Sequence, residues 1–415
     1  MSASTDLVLH GATLPDGSIA DVHIADGRIR AIGADAGADT TGTRAPVANV
    51  IDLTGHLLLP SCAEPHAHLD KAFLAETVHN PTGDLMGAIE AMHAHAPSIT
   101  FENTVRRAER AARLMITNGI TAIRSHADLT QGHGLRSVLA LIEVRERLRG
   151  LADLQVCALT GWPSIGPEGA DQRALLRDAI AAGIDLVGGC PHLESDPAAA
   201  NDTLLGIAAE AGLPIDLHTD ETLDASVLAL EDLARRVIAS GFPHGVTASH
   251  CVSLGMQPEH RQHEVAALVA EAGIHVVALP HTNLFLQGRR HQSAMPRGLT
   301  AVGALTAAGV NVAAGADNLQ DPFNPVGRGD PLETAGLMIM VGHLLPHDAY
   351  ASVSARPRRA LGLPANDVVV GAPADLVAVR AETVREAIAM GPPGRLVLRA
   401  GRIVAGHAPS VVVAS

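Results

Sequence analysis

Short apolar runs alternate with longer amphipathic stretches through the middle of the chain. Such alternation predicts a parallel sheet, because a helix between two strands returns the chain so that the next strand runs in the same direction. Eight runs, each followed by a helix-like stretch, predict a closed (β/α)8 TIM barrel. The runs are Leu57–Cys62, Thr121–Ser125, Leu154–Leu159, Asp185–Gly189, Ile215–Leu217, Val246–Ser249, His275–Leu279 and Asn311–Ala314.

The stretches between these runs are rich in Ala, Leu, Glu and Arg, which favour helices. An open, doubly wound sheet is the structural alternative, but it would carry a Gly-rich phosphate-binding turn after its first strand. The sequence has no such turn, which favours the barrel. The predicted helices include Asp84–Ala96, Phe101–Thr117, Leu135–Leu148, Arg173–Ala182 and Pro258–Ala272.

The two ends of the chain have a different rhythm, with short alternating runs separated by Gly and Asp. Asp26-Gly27, between two such runs, is typical of a β-hairpin. The C-terminal end repeats this pattern in Ala374–Val379 and Leu396–Val404. We therefore predict a small β-sandwich domain built from both termini, with residues 1–56 and 363–415 flanking a barrel of residues 57–362.

Composition narrows the class of protein. The chain has 415 residues, of which 47% are hydrophobic, and a net charge of −14, which disfavours a nucleic-acid partner. It has no apolar run of membrane-spanning length, no secretion signal and only four scattered cysteines. We expect a cytoplasmic homo-oligomer without a membrane partner that acts on a small molecule.

Histidine and carboxylate side chains follow six of the eight predicted strands. Active sites of TIM barrels lie at the C-terminal ends of the strands, so these residues should share one face. A single histidine there is usually a packed core residue, but packing does not explain six strands with the same chemistry. The residues are His66 and His68; His126 and Asp128; Cys190, His192 and Glu194; His218, Asp220 and Glu221; His250; and Asp317 and Asn318.

Two His-x-His pairs occur, and their context separates them. His66 and His68 follow an apolar run, and side chains two apart on a strand point the same way, as two ligands of one metal must. His93 and His95 lie in the predicted helix Asp84–Ala96, where side chains at this spacing diverge. The first pair is the candidate for metal binding.

The sequence resembles the metal-dependent amidohydrolase superfamily over essentially its whole length. It is closest to the cytosine deaminase branch and is also similar to the N-isopropylammelide isopropylamidohydrolases. The resemblance implies one divalent metal ion per subunit, Zn²⁺ or Fe²⁺, held by His66, His68, His218 and Asp317. The motifs that carry it are Glu64–Asp70, Arg124–Asp128, Pro191–Glu194, His218–Glu221, Thr247–His250, Asn283–Arg289 and Asp317–Phe323.

The same resemblance implies catalytic roles for Glu221, His250 and Asp317. Three imidazoles and one carboxylate leave a coordination position for water, whose pKa the cation lowers. Glu221 would protonate a ring nitrogen and then the departing amine, while His250 and Asp317 would orient or deprotonate the water. The alternatives are a structural histidine at 250 and a surface carboxylate at 221.

Lys71 is the only lysine in the chain. Binuclear amidohydrolases bridge two metals with a carbamylated lysine on the fourth strand, and no lysine lies near that strand here. The sequence therefore favours a mononuclear centre, and Lys71 is expected at the pocket rim or in a structural role.

The substrate-binding residues depart from those of cytosine deaminases. Gly161 stands where we would align a base-reading glutamine, and Asn318 replaces a second aspartate. Both changes argue against cytosine itself. Trp162 and Phe323 are candidates for stacking on a planar ring, although each could equally be packing in a lid. Gln287 is a candidate for hydrogen bonding to the ring, with packing in a lid as the alternative. His192 is expected in the pocket.

These residues predict a hydrolytic deaminase that releases ammonia from an amino-substituted N-heterocycle, cytosine-like, pterin-like or triazine-like. The alternative is an amidohydrolase that releases an alkylamine from an s-triazine or opens a small cyclic amide. Glu221 favours the deaminase, because the alkylamine-releasing relatives lack a glutamate at that position. A catalytically inactive scaffold is a third reading, but such proteins usually lose metal ligands, and every ligand position is filled here.

Overall fold

The computed structural model describes residues 6–33, 49–406 and 411–412, and within them the strands form two sheets. The first has nine described strands, contributed by both ends of the chain. They are β1 (Leu7–Thr13), β2 (Ile19–Ala25), β3 (Arg28–Gly33), β4 (Asn49–Asp52), β5 (Leu57–Pro60), β14 (Leu376–Val379), β15 (Leu396–Arg399), β16 (Arg402–Ala405) and β17 (Val411–Val412).

The second sheet is the barrel, whose strands neighbour one another in chain order and pair in parallel. A bridge between Ala67 and Asp317 closes it, so the predicted (β/α)8 TIM barrel is confirmed and the open sheet is excluded. Its strands are β6 (Cys62–Ala67), β7 (Ile120–Leu129), β8 (Asp153–Thr160), β9 (Leu186–Gly189), β10 (Ile215–Thr219), β11 (Val246–His250), β12 (His275–Ala278) and β13 (Val312–Ala314).

Helices follow the barrel strands and pack around them. All five stretches predicted from the sequence are helical, with ends that differ by at most a few residues. The helices are α1 (Leu85–His95), α2 (Phe101–Thr117), α3 (Arg136–Arg147), α4 (Ala170–Ala182), α5 (Pro197–Ala211), α6 (Ala229–Ser240), α7 (Glu259–Glu271), α8 (Pro280–Leu286), α9 (Val302–Ala307), α10 (Pro331–Met340), α11 (Pro346–Val353), α12 (Ala355–Ala360) and α13 (Val384–Met390).

Helix α2 shows why these segments fold as they do. Thr100 caps its start by accepting a hydrogen bond from the Asn103 amide at 3.2 Å. Val105, Ala108 and Ala112 recur every three or four residues and are fully buried against the barrel. The cap and the apolar stripe together define both the start of the helix and the face that it buries.

The terminal sheet confirms the predicted β-sandwich built from both ends of the chain. The predicted hairpin turn at Asp26 and Gly27 is present, with φ angles of 52° and 72°. A second turn, at Ala400 and Gly401, has φ angles of 47° and 73° and divides the predicted run Leu396–Val404. Two successive positive φ angles are what a tight hairpin between twisted strands requires. The apolar side chains of this sheet form a core of their own.

One strand prediction is wrong. The run Leu57–Cys62 was expected to be the first barrel strand, but Leu57–Pro60 pairs antiparallel with β14 in the terminal sheet. The chain changes sheet at Ser61, and the barrel strand starts at Cys62. Residues on both sides of Ser61 are buried, so the hydrophobic pattern carries no mark of the change. Leu57–Pro60, which lie on the barrel side of the predicted domain boundary, therefore belong to the terminal sheet.

Arg124 crosses the barrel interior and ties four strands together. Its guanidinium donates to Gln155 Oε1 at 3.0 Å, to Asp216 Oδ2 at 2.7 Å and to Thr247 Oγ1 at 3.1 Å. A further bond of 2.9 Å reaches the Ala360 carbonyl. A buried arginine is tolerable only when its donors are satisfied in this way.

Tyr350 joins the two sheets where the chain passes between them. Its hydroxyl donates to the Pro60 carbonyl at 2.7 Å, and the ring is 5% exposed. The helices of the described ranges include none with both the length and the apolar character needed to cross a bilayer.

We expect Tyr350→Phe to lower the free energy of unfolding by about 1 kcal/mol, because the partly buried Pro60 carbonyl loses this hydrogen bond without loss of ring packing. Denaturant unfolding measures this change. Ser240→Ala is the control, since its exposed hydroxyl makes a bond of the same 2.7 Å to a carbonyl; equal losses in both variants would contradict the assignment.

Candidate active site

Three imidazoles and one carboxylate converge at the C-terminal end of the barrel. Nε2 of His218 lies 3.2 Å from Nε2 of His66 and 3.1 Å from Nε2 of His68. Oδ1 of Asp317 lies 3.7 Å from Nε2 of His66 and 3.3 Å from Nε2 of His68. All four side chains are at most 5% exposed. The structure thus brings together the four residues predicted as metal ligands.

The donor set fits a divalent cation. The cited separations of 3.1–3.7 Å between these donor atoms are short enough for all of them to lie 2.0–2.1 Å from one cation. Burial, followed by the charge of neighbouring histidines, lowers the pKa values of His66 and His218, so both rings are neutral and offer lone pairs. Both oxygens of Asp317 are buried without a hydrogen-bond partner among the described residues. A cation would satisfy these atoms.

Backbone geometry sets the positions of the ligands. The amide of Asp317 donates to the His66 carbonyl at 3.1 Å, and the amide of His68 donates to the Asp317 carbonyl at 3.2 Å. Asp317 has a φ of 62°, a conformation that costs about 1–3 kcal/mol outside glycine. The turn at the end of β13 therefore directs this carboxylate back over β6.

Glu64 stabilises the same junction between β6 and the end of β13. Its carboxylate accepts from the His66 amide at 3.1 Å and from the Ala316 amide at 2.9 Å, so one side chain joins β6 to the end of β13. Burial raises the pKa of Glu64 to about 8. A β-carbon at Gly315 would lie 2.4 Å from Glu64 Oε1, so only glycine admits this carboxylate.

Ser249 fixes the orientation of His66. Its hydroxyl donates to Asp216 Oδ1 at 3.0 Å and accepts from His66 Nδ1 at 2.9 Å. Protonation at Nδ1 leaves the lone pair of Nε2 facing the ligand cluster. Asp216 could itself complete a metal-binding group with His66 and His126, but its ion pair with Arg124 occupies it.

Glu221 and His250 stand beside the ligand cluster. Nδ1 of His250 lies 3.1 Å from Asn283 Oδ1 and 3.5 Å from Glu221 Oε1, and its Nε2 is buried without a partner in the described part of the chain. Burial, with a smaller contribution from the Asp317 charge, raises the pKa of Glu221 well above its usual range. A protonated carboxyl group and a neutral imidazole are therefore adjacent.

A cavity opens onto this cluster and is covered by α1. Leu85, Ile89, Met92 and His93 line it from one face of that helix. His93, from the second His-x-His pair, thus reaches the cavity, with its ring 6.0 Å from that of Trp162. The cavity is also lined by His68, Lys71, Asp128, Trp162, His218, Glu221, His250, Asp317, Asn318 and Phe323.

The loop that carries Trp162 is anchored on both sides. Glu194 accepts hydrogen bonds of 2.6 Å from both the amide and the hydroxyl of Ser164. Arg173 donates to the Ser164 carbonyl at 2.7 Å. These bonds hold the only tryptophan of the chain at the cavity wall.

Two residues predicted to bind substrate occupy a neighbouring space. His192 and Gln287 line an adjoining cavity that shares Leu85, Leu193 and Glu221 with the first. His192 Nδ1 donates to the His218 carbonyl at 3.0 Å, and burial lowers its pKa to about 4. Asn318 lines the main cavity, but its amide is engaged with Thr282 and Asp321.

Sequence reasoning missed a charged pair in the main cavity. Lys71 and Asp128 form an ion pair there, and neither was assigned to substrate binding. The available signal was a single lysine next to one motif and a strand-end aspartate in another. At Gly161 a β-carbon would lie 3.0 Å from Thr130 Cγ2, so a larger residue there would require Thr130 to move by a few tenths of an ångström.

Comparison with known proteins supports the resemblance found in the sequence. A profile of the amidohydrolase family matches residues 71–405. A pterin deaminase of Rhizobium rhizogenes (strain K84) is 36% identical over 393 residues, which cover 93% of this chain and 87% of that protein.

Two solved structures share the whole fold. The 5-methylcytosine deaminase of Klebsiella pneumoniae, liganded with 5-fluorocytosine, has a TM-score of 0.86 and 30% identity over 96% of this chain and 97% of its own. The N-isopropylammelide isopropylaminohydrolase of Burkholderia multivorans has a TM-score of 0.81 and 32% identity over 97% and 98% of the two chains. The chain belongs to the amidohydrolase family, in its cytosine deaminase-like branch, and is an amidohydrolase acting on carbon–nitrogen bonds.

Proposed function

We propose that this enzyme is a metal-dependent hydrolytic deaminase that releases ammonia from an amino-substituted N-heterocycle. The observation that carries the proposal is Glu221, a buried carboxyl group that lines the cavity beside His218, His250 and Asp317. Similarity to a pterin deaminase and a 5-methylcytosine deaminase supports the reaction class. Trp162 and Phe323 add two aromatic faces for a planar ring.

His66, His68, His218 and Asp317 would hold one divalent ion, Zn²⁺ or Fe²⁺. Such an ion lowers the pKa of a bound water toward neutrality. When a water attacks the amino-bearing carbon, its proton would be accepted by the Asp317 carboxylate or by the free Nε2 of His250. Asn283 holds that imidazole through Nδ1, which leaves Nε2 available as the acceptor.

Glu221 would supply the proton that the ring needs. Because burial raises its pKa, the carboxyl group is protonated near neutral pH and can donate to a ring nitrogen. Its conjugate base would then take the proton of the hydroxyl group added to the ring carbon and deliver it to the departing amine. Among the carboxyl groups that line the described cavity, Glu221 has its pKa raised by burial, whereas the pKa values of Asp128 and Asp317 are lowered by their charged and hydrogen-bonding neighbours.

Release of an alkylamine is the second candidate function. It is supported by similarity to the N-isopropylammelide isopropylaminohydrolase. The adjoining cavity beside Glu221, lined by His192 and Gln287, offers space for an N-alkyl substituent.

Glu221→Gln should lower kcat at least 100-fold, because the amide cannot donate and regain the proton. Metal content measured on the same preparation should match that of the wild type. Glu102→Gln, an exposed change on α2, is the control. A Glu221→Gln enzyme with more than a tenth of the wild-type kcat would remove this residue from the mechanism.

Ser249→Ala should weaken metal binding about 10- to 100-fold, because His66 loses the partner that orients it. Competition with a chelator measures the affinity, and elemental analysis should find one ion per wild-type chain. Ser253→Ala removes a buried hydroxyl without a partner in the described residues and should leave the affinity unchanged. Two tightly held ions per chain would contradict the mononuclear proposal.

A screen for ammonia release tests the substrate class. Cytosine, 5-substituted cytosines, isocytosine, creatinine, pterins and aminotriazines form the panel. We expect turnover of at least one ring, with cytosine a poor substrate because Gly161 supplies no side chain to read it. Silence across the panel together with alkylamine release from N-alkyl triazines would replace the deaminase by the second candidate.

A further inference from the structure

Lys71 and Asp128 form a buried ion pair in the wall of the cavity. Nζ of Lys71 lies 2.5 Å from Oδ1 of Asp128, and the two side chains are 3% and 12% exposed. Lys71 is the only lysine among 415 residues, although the chain has 29 arginines, since Lys and Arg together number 30. The pair thus places a compact ammonium group, with three N–H donors, in the cavity wall.

The pair is held rigidly from behind. Asp70 Oδ2 accepts a hydrogen bond of 2.9 Å from the Asp128 amide, and its Oδ1 lies 3.6 Å from Lys71 Nζ. Burial alone would lower the pKa of Lys71 and raise that of Asp128, but their mutual attraction reverses both shifts. Both groups are therefore ionised and fixed in place before any ligand arrives.

Each partner keeps hydrogen-bonding capacity in reserve. Within the described residues, the Lys71 ammonium makes one hydrogen bond, to Asp128, and the contact to Asp70 exceeds hydrogen-bond length. The second oxygen of Asp128 has only a 3.9 Å contact with His133 Nε2. Because both residues line the cavity, a donor and an acceptor stand side by side where a ring would bind.

We propose that the Lys71–Asp128 pair recognises a lactam edge of the substrate, that is, a ring carbonyl next to a ring N–H. Lys71 donates to the carbonyl oxygen, and Asp128 accepts from the ring nitrogen. This proposal rests on the proposed function, because it assigns the edge that the heterocycle presents away from the reacting carbon. The substrates are then oxo-substituted amino heterocycles rather than fully aminated rings.

Desolvation explains why the pair would favour a lactam over a ring without one. A ring that fills the cavity removes water from both charges, and a lactam replaces that water with two charge-assisted hydrogen bonds. A ring without the carbonyl and N–H leaves the spare donor and acceptor unpaired, which is costly in a buried site. The phenyl ring of Phe323, 6.0 Å from Lys71 Nζ, limits the approach of replacement water on one side.

Binding of rings that carry no amino group tests the proposal without requiring turnover. Calorimetry on the metal-loaded enzyme would compare quinazolin-4(3H)-one with quinazoline, and 4(3H)-pyrimidinone with pyrimidine. We expect the lactam to bind about 10- to 100-fold more tightly in at least one pair, the range of one or two such hydrogen bonds. Absence of this preference in both pairs, including absence of measurable lactam binding, overturns the proposal.

The double variant Lys71→Gln with Asp128→Asn removes both charges of the ion pair together, so neither member of the pair is left without the other. The lactam preference should fall to about threefold or less, because the lactam loses two charge-assisted hydrogen bonds and the ring without the lactam no longer removes water from two charges. A purely structural ion pair would change both affinities alike or neither. Arg358→Gln with Asp375→Asn is the matched control, because that pair is similarly buried, at 3% and 11%, and lies outside the cavity.

If the double variant does not fold, Lys71→Arg keeps the charge pair and changes only the shape of the donor. We expect this variant to lose at least fivefold in lactam affinity alone; an unchanged lactam preference overturns the proposal. The reaction class is judged separately: an enzyme that prefers lactams but releases no ammonia from any amino heterocycle would refute the proposed function and leave this inference standing.

Discussion

The bridge between Ala67 and Asp317 closes the barrel and sets the geometry of the candidate metal site at once. Two backbone hydrogen bonds hold Asp317 between the carbonyl of His66 and the amide of His68. The ligand on the last strand is therefore fixed relative to both ligands on the first by the same bonds that complete the sheet. The Glu64 carboxylate accepts hydrogen bonds from both sides of this junction, so the contacts that close the barrel also position the ligands.

A continuous polar chain supports this arrangement from inside the barrel. Arg124 pairs with Asp216, Asp216 accepts from Ser249, and Ser249 accepts from His66. Removal of one link would leave a buried group without its partner, at a cost of about 1–3 kcal/mol for an uncharged group and more for an ion. The neutral imidazoles of His66 and His218 bring their Nε2 atoms to 3.2 Å of each other, a separation at which one cation could bind both.

The fold was largely predictable, because the alternation of strands and helices is a local signal repeated eight times. Prediction failed at Leu57–Cys62, since a strand of the terminal sheet is followed by a strand of the barrel with only Ser61 between them. The candidate ligands were also predictable, since each follows a strand. His192 and Gln287 follow strands too, yet they line the adjoining cavity, because the path of the loop decides which space a side chain enters. Lys71 and Asp128 meet across 57 residues, and neither motif alone indicates the pair.

The cavity has two polar walls of different charge, one formed by the candidate metal ligands and the other by the Lys71–Asp128 pair. Four candidate ligands with one carboxylate among them would leave a net positive charge once a divalent ion is bound. A lone lysine nearby would add repulsion in a region of low dielectric constant. Asp128 and Asp70 offset that charge, so Lys71 can present N–H donors to a neutral ring without strengthening the positive field. Because Glu221 is also uncharged when protonated, the space between the walls favours an uncharged planar heterocycle over an ionic substrate.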